Sequence, residues 1–292
     1  MSGQLDKREV RRAFERAAQT YDRAAVLQRE VCNRMLERLA LMKLRPRYVL
    51  DAGCGTGYAA TPLARRFPGA KLIELDIAES MVRRARAAWT WWMRILPGRG
   101  KKLAVCGDNE CLPIRSGSCD LVWSNLALQW AEQLPAVLRE MQRVLAPGGL
   151  LMFSTFGPDT LKELRAAFAR VDTREHVSRF VDMHDIGDML VESGFADPVM
   201  DMEQFTLTYA RVRDLMRELK ALGAHNANEN RARGLTGHRS LAQVEQYYER
   251  QRDEDGRLPA TFEVVYGHAW KPSPRIGPGG RPVIDIKPEA NG

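Results

Sequence analysis

The chain has 292 residues, of which 45% are hydrophobic and 28% charged, and its formal net charge is +7. This composition is ordinary for a globular protein, and the length suffices for one large domain or for one domain with an insertion. The longest purely apolar runs, such as Leu150–Phe153, have only a few residues, so no membrane-spanning helix is predicted.

The N-terminal residues, MSGQLDKREVRRAFERAAQTYD, lack the apolar core of a signal peptide. Their acidic side chains also argue against an organelle transit peptide, so we expect a cytoplasmic protein. The five cysteines include no CxxC pair. The sequence therefore predicts neither a disulfide framework nor a metal site.

Residues 1–46 are expected to form a basic helical arm. Apolar residues recur at three- and four-residue spacing from Leu5 to Tyr21, which predicts one helix, and a break around Tyr21–Ala24 precedes a second helix. Up to Arg47 the chain holds twelve Lys and Arg against six Asp and Glu. This surplus favours an acidic partner, which the charge alone leaves open among nucleic acid, a phospholipid surface and an acidic protein. A solvated helix pair without a partner is the alternative.

From Arg47 onwards, short β-rich runs alternate with helical stretches. This alternation predicts βαβ units and an α/β, doubly wound, Rossmann-like sheet with helices on both faces. We therefore assign residues 47–156 to a cofactor-binding core. The expected strands are Tyr48–Asp51, Lys71–Asp76, Lys102–Cys106, Asp120–Ser124 and Leu150–Phe156, and the expected helices are 58–67, 79–93 and 135–146.

Beyond Phe156 the regular alternation fades. Residues 157–270 are expected to complete the sheet and to supply an insertion over its carboxyl edge, where substrates of open α/β folds bind. Residues 271–292 are rich in Pro and Gly and are expected to form a disordered tail. The Trp-rich and basic link between the second and third strands, residues 88–102, has no assigned function.

The segment VLDAGCGTGY, residues 49–58, runs from a buried strand into alternating glycines and then into a helix. Glycines allow positive φ and a close approach of a ligand to the backbone. The spacing G-x-G-x-G differs from the G-x-G-x-x-G of dinucleotide sites, which place a pyrophosphate at the helix N-terminus. Asp51 together with Gly53, Gly55 and Gly57 therefore predicts a ligand that lacks phosphates and has a charged amino-acid portion.

Further markers lie at the ends of the next strands. Asp76 ends the second strand, where a carboxylate can accept both ribose hydroxyls, and Asp108 follows the third beside Asn109, where it can accept from an adenine amino group. A helix N-cap and an ordinary turn are the alternatives for the two aspartates. Ser124 ends the fourth strand, and LAPGG, residues 145–149, precedes the fifth. These markers, in this order, resemble class I methyltransferases, which implies S-adenosylmethionine as the cofactor.

The segment after the fourth strand reads SNLALQW, residues 124–130. Enzymes that methylate base amines often carry Asn/Asp-Pro-Pro-aromatic here, so methylation of DNA or RNA amines is disfavoured. Methyl transfer from a sulfonium is an in-line displacement that depends on positioning and desolvation. An ionised carboxylate can therefore accept the methyl group without a general base.

Several segments resemble the malonyl-[acyl-carrier protein] O-methyltransferase family of early biotin synthesis. The resemblance covers nearly the whole chain up to about residue 270 and implies methyl esterification of the free carboxylate of a malonyl thioester. It also implies an acyl carrier protein as the acidic partner, with malonyl-CoA as an open second substrate, and neither a nucleic acid nor a membrane partner is expected. The matching segments are FERAAQTYD (14–22), SNLALQW (124–130), HVSRF (176–180), LKALGAHN (219–226) and LPATFEVVYGHAW (258–270).

A malonyl carboxylate requires a cation, ideally a bidentate arginine. Arg179 is the first candidate and Arg143 the second, with a structural ion pair as the alternative for Arg179. Tyr21 is expected to reach the acceptor carboxylate with its hydroxyl, with a packing aromatic as the alternative, so Tyr21 and Arg179 are the expected catalytic residues. The remaining substrate-site candidates are His176, His225 and Asn226, and a capping or core role is the alternative for the two histidines.

Three other functions remain open at this point. Residues 156–165 and 253–261 also resemble the mitochondrial complex I assembly factor that hydroxylates an arginine, whereas residues 176–180 and 224–226 fit the biotin enzymes better. A non-catalytic cofactor-binding module is the second, although the intact acidic and glycine markers argue against it. A methyltransferase for another small carboxylate would share every cofactor marker.

Overall fold

The computed structural model describes residues 5–88, 101–224 and 238–273. Two predicted substrate-site residues, His225 and Asn226, lie outside these ranges. The same holds for most of the Trp-rich link and for the tail from residue 274 onwards. In the part of the chain that is described, no helix combines the length and the apolar character needed to cross a membrane.

The chain begins with the helices α1 (Lys7–Ala17), α2 (Tyr21–Ala24) and α3 (Val26–Ala40). The core follows with β1 (Tyr48–Ala52), α4 (Ala60–Arg66), β2 (Lys71–Asp76), α5 (Glu79–Ala88), β3 (Lys102–Cys106), β4 (Cys119–Asn125), a 3₁₀ turn (Leu128–Trp130), α6 (Leu134–Val144) and β5 (Leu145–Phe156). The remainder forms α7 (Lys162–Ala169), α8 (Met183–Glu192), β6 (Ala196–Tyr209), α9 (Val212–Ala221), α10 (His238–Glu249) and β7 (Leu258–Trp270).

Within the described residues, seven strands form one sheet in the order β3-β2-β1-β4-β5-β7-β6. The strands from β3 to β5 are parallel, and β7 runs antiparallel between β5 and β6. The strand order reverses between β1 and β4, and open α/β sheets bind ligands outside the carboxyl ends of the strands at such a point. The predicted doubly wound α/β fold is confirmed.

The central strands are buried on both faces because helices cover each side. Val49 and Leu121 contribute to the apolar cluster that contains α3 and α4, whereas the adjacent Leu50 and Val122 contribute to the cluster that contains α6. Successive side chains of a strand point to opposite faces, so near-continuous apolar runs are what this arrangement requires. The core thus fixes the ends of β1 and β4, where the polar residues begin.

Two predicted boundaries differ from the structure. The expected break around Tyr21–Ala24 contains a helical turn, α2, and the helical path is interrupted on either side of it, at residues 18–20 and at Ala25. The fifth strand begins at Leu145, which pairs with Cys119 ahead of a register shift. The shift accommodates the Pro-Gly-Gly run that was expected to precede the strand.

The N-terminal arm crosses the carboxyl edge of the sheet. The Glu15 carboxylate of α1 accepts from the backbone N–H groups of Glu79, at 2.7 Å, and Ser80, at 3.0 Å. These are among the N–H groups at the start of α5 that have no partner within the helix, and an acidic group at this end is also favoured by the helix dipole. The contact fixes α1 above the ends of β1 and β2.

Candidate active site

A cleft lies at the carboxyl ends of the central strands and has two adjoining halves. Tyr21, Gly53, Gly55 and Asn125 line both halves. We name the halves after the aspartate that each contains. The Asp76 half is also lined by Lys7, Phe14, Asp108, Asn109 and Trp130, and the Asp51 half by Gln28, Arg29, Thr56, Gly57 and Arg65.

The loop after β1 adopts a conformation that requires glycine at alternate positions. Gly53 and Gly57 have φ of 90° and 87°, in the left-handed region that side chains rarely adopt. A Cβ atom on Gly53 would also lie 2.3 Å from the Cβ of Ala127, and one on Gly57 would lie 2.7 Å from Oε1 of Glu74. Substitution at either position would therefore displace the loop that separates the two halves.

Asp51 is 2% exposed, and its Oδ2 has no hydrogen-bond partner in the described part of the protein. Burial, reinforced by the nearby carboxylates of Glu74 and Asp76, raises the pKa of Asp51 well above its usual range. A buried carboxylate without a partner is costly, and a cation from a ligand would satisfy it. The Asp51 half of the cleft is thus suited to an ammonium group.

Asp76 accepts from the Gly55 N–H with Oδ2 and from the Ala78 N–H with Oδ1, both at 2.9 Å. Through the bond from Ala78, Asp76 also takes part in capping α5, which is the alternative role expected for it from the sequence. Each oxygen retains acceptor capacity towards the cleft. Burial raises the pKa of Asp76 to about 6, even though the two N–H donors favour its ionised form.

A lysine that sequence reasoning missed closes the far end of the Asp76 half. The Lys7 ammonium lies 2.6 Å from Oδ2 of Asp108 and 2.7 Å from Oε2 of Glu110. Oδ1 of Asp108 accepts from the Glu110 N–H, so both oxygens of Asp108 already have partners. The side-chain oxygen of Asn109 is buried and has no partner among the described residues, which makes Asn109 an available acceptor beside Asp108.

Ser124 and Asn125 take different roles at the end of β4. The Ser124 hydroxyl is fully buried, donates to the Ala52 carbonyl at 2.8 Å and does not line the cleft. Asn125 does line it, and its amide bridges the Gln28 carbonyl and the Ser154 hydroxyl. Ser124 therefore does not reach the site. The polar side chain that lines the cleft at the end of β4 is that of Asn125.

Tyr21 lies at the junction of the two halves, with its ring against Gly55. Burial, together with the carboxylates of Asp76 and Asp22, raises the pKa of Tyr21. The phenol therefore stays protonated and can donate a hydrogen bond. Beside it, Phe14 and Trp130 pack edge to face with ring centroids 5.4 Å apart, which gives the junction an apolar wall.

The two arginine candidates are placed differently. The Arg143 guanidinium binds Glu140 at 2.6 Å and donates to the carbonyls of Ile114 and Leu112, so it joins α6 to the segment before β4 and does not line the cleft. This arrangement does not support the predicted substrate contact. The Arg179 side chain is 75% exposed and its Nε lies 2.7 Å from Glu175.

Two side pockets adjoin the cleft. Arg179 lines one of them, which shares Leu128 and Ala131 with the Asp76 half. The other pocket is mainly apolar and shares Trp130 with that half. His176 lines this second pocket, stacks on Phe168 with ring centroids 4.0 Å apart, and binds Asp172 at 2.8 Å, a contact set that holds the imidazole in place.

Solved structures and a family model agree with this fold. A model described as a methyltransferase domain matches residues 50–153. YcgJ from Bacillus subtilis superposes with a TM-score of 0.57 at 16% identity, covering 84% of this chain and 99% of its own. An S-adenosylmethionine-dependent methyltransferase from Thermotoga maritima gives 0.51 at 17% identity, covering 90% and 99%. Fold and cleft together define a class I S-adenosylmethionine-dependent methyltransferase.

Sequence relatives identify the family within this class of methyltransferases. The malonyl-[acyl-carrier protein] O-methyltransferase of Gallionella capsiferriformans is 55% identical over 96% of this chain and 96% of its own length. The protein of the same name from a Methylovorus species is 56% identical over 98% and 97%. The chain belongs to the malonyl-[acyl-carrier protein] O-methyltransferase family. The alternative of an arginine-hydroxylase assembly factor is not favoured.

The residues of the cleft fit S-adenosylmethionine. The unpartnered Oδ2 of Asp51 can receive the ammonium of the methionine portion, and Asp76 retains acceptor capacity for ribose hydroxyls. The free oxygen of Asn109 can accept from the adenine amino group, which was predicted for its neighbour Asp108. Because its glycines have no Cβ atoms, the loop between the two halves would let the ligand approach the loop backbone closely.

We expect the affinity for S-adenosylmethionine to fall as the pH falls through about 6, because the protonated Asp76 loses its capacity to accept both ribose hydroxyls. Asp76→Asn should weaken binding by about tenfold or more and flatten this part of the pH profile. The measurement is the Kd from isothermal titration calorimetry between about pH 5 and 8.

Asp120→Asn is the matched control, because Asp120 binds backbone N–H groups at the opposite end of the sheet. Its Kd profile should match that of the unaltered protein. An Asp76→Asn protein with an unchanged profile would show that Asp76 does not hold the ribose.

Proposed function

We propose that this protein transfers the methyl group of S-adenosylmethionine to the free carboxylate of a malonyl thioester on acyl carrier protein, in the cytoplasm, as an early step of biotin synthesis. The observation that carries the proposal is the position of Tyr21, whose half-buried side chain lines both halves of the cleft where they meet and whose phenol stays protonated. A protonated phenol can orient an ionised carboxylate but cannot serve as a general base. Family membership supports the same substrate.

The cofactor, when bound, supplies a methyl group on a cationic sulfur, which a carboxylate accepts without first losing a proton. The chain's own contribution is then positioning and exclusion of water. Asp51 and Asp76 would hold the two ends of the cofactor, and Tyr21 would donate to the acceptor carboxylate. Phe14 and Trp130 would keep water from the junction between them.

The surface of α1 supports a carrier protein as the partner. Arg8, Arg12 and Arg16 follow each other at four-residue spacing and are exposed, so they form a basic stripe along one face of the helix. Arg8 and Arg12 have no ion-pair partner among the described residues. The opposite face of α1 lines the cleft with Val10 and Phe14. An acidic carrier bound to the stripe would thus deliver its thioester beside the cleft.

The decisive experiment supplies methyl-labelled S-adenosylmethionine with malonyl-carrier protein, malonyl-CoA or acetyl-carrier protein. Base-labile label on the malonyl species alone would support the proposal, because acetyl-carrier protein has no free carboxylate. Absence of label on every malonyl species, in a protein that binds the cofactor, would overturn it.

We expect Arg179→Ala to raise KM for malonyl-carrier protein by about tenfold, because a charged hydrogen bond to the malonyl carboxylate is lost, while the Kd for the cofactor stays unchanged. Steady-state kinetics and calorimetry provide the two measurements. Arg139→Ala, which removes an exposed arginine of α6, is the control.

Arg29 is the competing candidate, because it lines the Asp51 half of the cleft, as Tyr21 does, and its guanidinium donates to the Asp22 carbonyl there. If Arg29→Ala raises KM and Arg179→Ala does not, the carboxylate contact belongs to Arg29. In that case the role proposed for Arg179 is wrong.

We expect the double variant Arg8→Glu/Arg12→Glu to raise KM for malonyl-carrier protein by about tenfold or more and to leave KM for malonyl-CoA unchanged, because only the carrier needs the stripe. The effect should shrink as salt is added, since exposed charges are screened. Arg139→Glu is the matched charge reversal. An equal loss with both substrates would contradict the docking role.

A further inference from the structure

A buried ion pair lies beneath the glycine loop and has no part in the roles given so far. Glu74 of β2 is fully buried, the Lys102 side chain of β3 is 5% exposed, and its ammonium lies 2.5 Å from Oε2 of Glu74. Burying two charges costs more free energy than burying an apolar pair of the same size. Packing alone therefore does not account for the pair.

The strand register places this pair beside Asp51. Glu74 is the direct partner of Asp51 in the β1–β2 ladder, so the two side chains share a face of the sheet. Lys102 is two residues before Ala104, the β3 partner of Glu74, and therefore lies on the same face. The Lys102 ammonium also donates to the Ala85 carbonyl of α5 at 2.6 Å, which fixes it from a second element.

Glu74 also touches the cofactor loop itself, because its Oε1 is the atom that a Cβ on Gly57 would meet. Two carboxylates side by side in a buried site do not both ionise readily without a cation. Lys102 is in contact with Glu74, and its ammonium supplies that cation. The other titratable groups that act on Asp51 or lie close to it are Asp76 of β2, Cys54 of the loop and Cys32 of α3.

We propose that Lys102, by neutralising Glu74, favours the ionised form of Asp51 and thereby raises the affinity of the cleft for the ammonium of the methionine portion of the cofactor. Lys102 and Glu74 are positioning residues, since neither lines the cleft. The inference rests on the proposed role of Asp51. It adds that the affinity for the amino-acid portion of the cofactor depends on Lys102 of β3, a strand that does not itself hold Asp51.

The test uses two ligands that share an adenosine portion. S-adenosylhomocysteine retains the ammonium, whereas methylthioadenosine lacks the amino-acid portion. Lys102→Met should weaken S-adenosylhomocysteine by about tenfold near neutral pH and move the pH at which its affinity falls upwards by about one unit. Methylthioadenosine should bind as before. Calorimetric Kd values over a pH series give both results without an activity assay.

Two further variants separate electrostatics from folding. Glu74→Gln/Lys102→Met removes both charges at similar volume and should restore the affinity and the pH profile for S-adenosylhomocysteine. Glu74→Gln alone removes the repulsion but keeps the cation, so the pH at which affinity falls should move down. This variant decides the matter even if Lys102→Met does not fold.

The inference is overturned if Lys102→Met weakens both ligands equally and the double variant restores neither, because the pair would then only support the loop. It is also overturned if Glu74→Gln leaves the pH profile unchanged. Asp51→Asn tests the underlying role separately: if it binds S-adenosylhomocysteine normally, Asp51 does not hold the ammonium. In that case, transfer of label to malonyl-carrier protein would still support the proposed function.

Discussion

The burial of carboxylates at the ends of β1 and β2 is the constraint on which the rest of the site depends. Parallel strands bring Asp51 and Asp76 to one edge of the sheet, and the surrounding core removes water from them. Asp76 accepts from the Gly55 N–H of the loop and from the Ala78 N–H just before α5, so the loop turns close over it. Asp51 is left with one oxygen that has no partner among the described residues, and a cationic group of a ligand would meet it.

The features that could be predicted from the sequence are those that local patterns determine. Alternation of strand and helix predicted β1 to β5, and G-x-G-x-G after a buried strand predicted the loop. The positions of Asp51 and Asp76 follow from these, because the end of a parallel strand has a known place in such a sheet. Tyr21 was expected at the acceptor through the resemblance of its segment, and it does line the cleft.

The features that could not be predicted depend on contacts between distant elements. Arg143 has the charge to bind a substrate, but its guanidinium is taken up by carbonyls of another segment. Ser124 and Asn125 are adjacent and both polar, and only the register of β4 decides which one faces the cleft. Nothing in the local sequence distinguishes Lys7 from the other basic residues of the arm, since its partners, Asp108 and Glu110, lie about a hundred residues away.

The contacts of α1 bear on where the smallest functional piece of this protein begins. Glu15 caps α5, Lys7 binds Asp108 at the far end of the Asp76 half of the cleft, and Phe14 forms part of its wall. A fragment that starts at the first strand would lose these three contacts together with α3, whose buried Val31, Met35 and Leu39 belong to the core that covers one face of the sheet. The N-terminal helices therefore contribute to the fold and to the ligand-binding cleft at once. Truncation studies and fusion designs must retain the helices that precede the sheet.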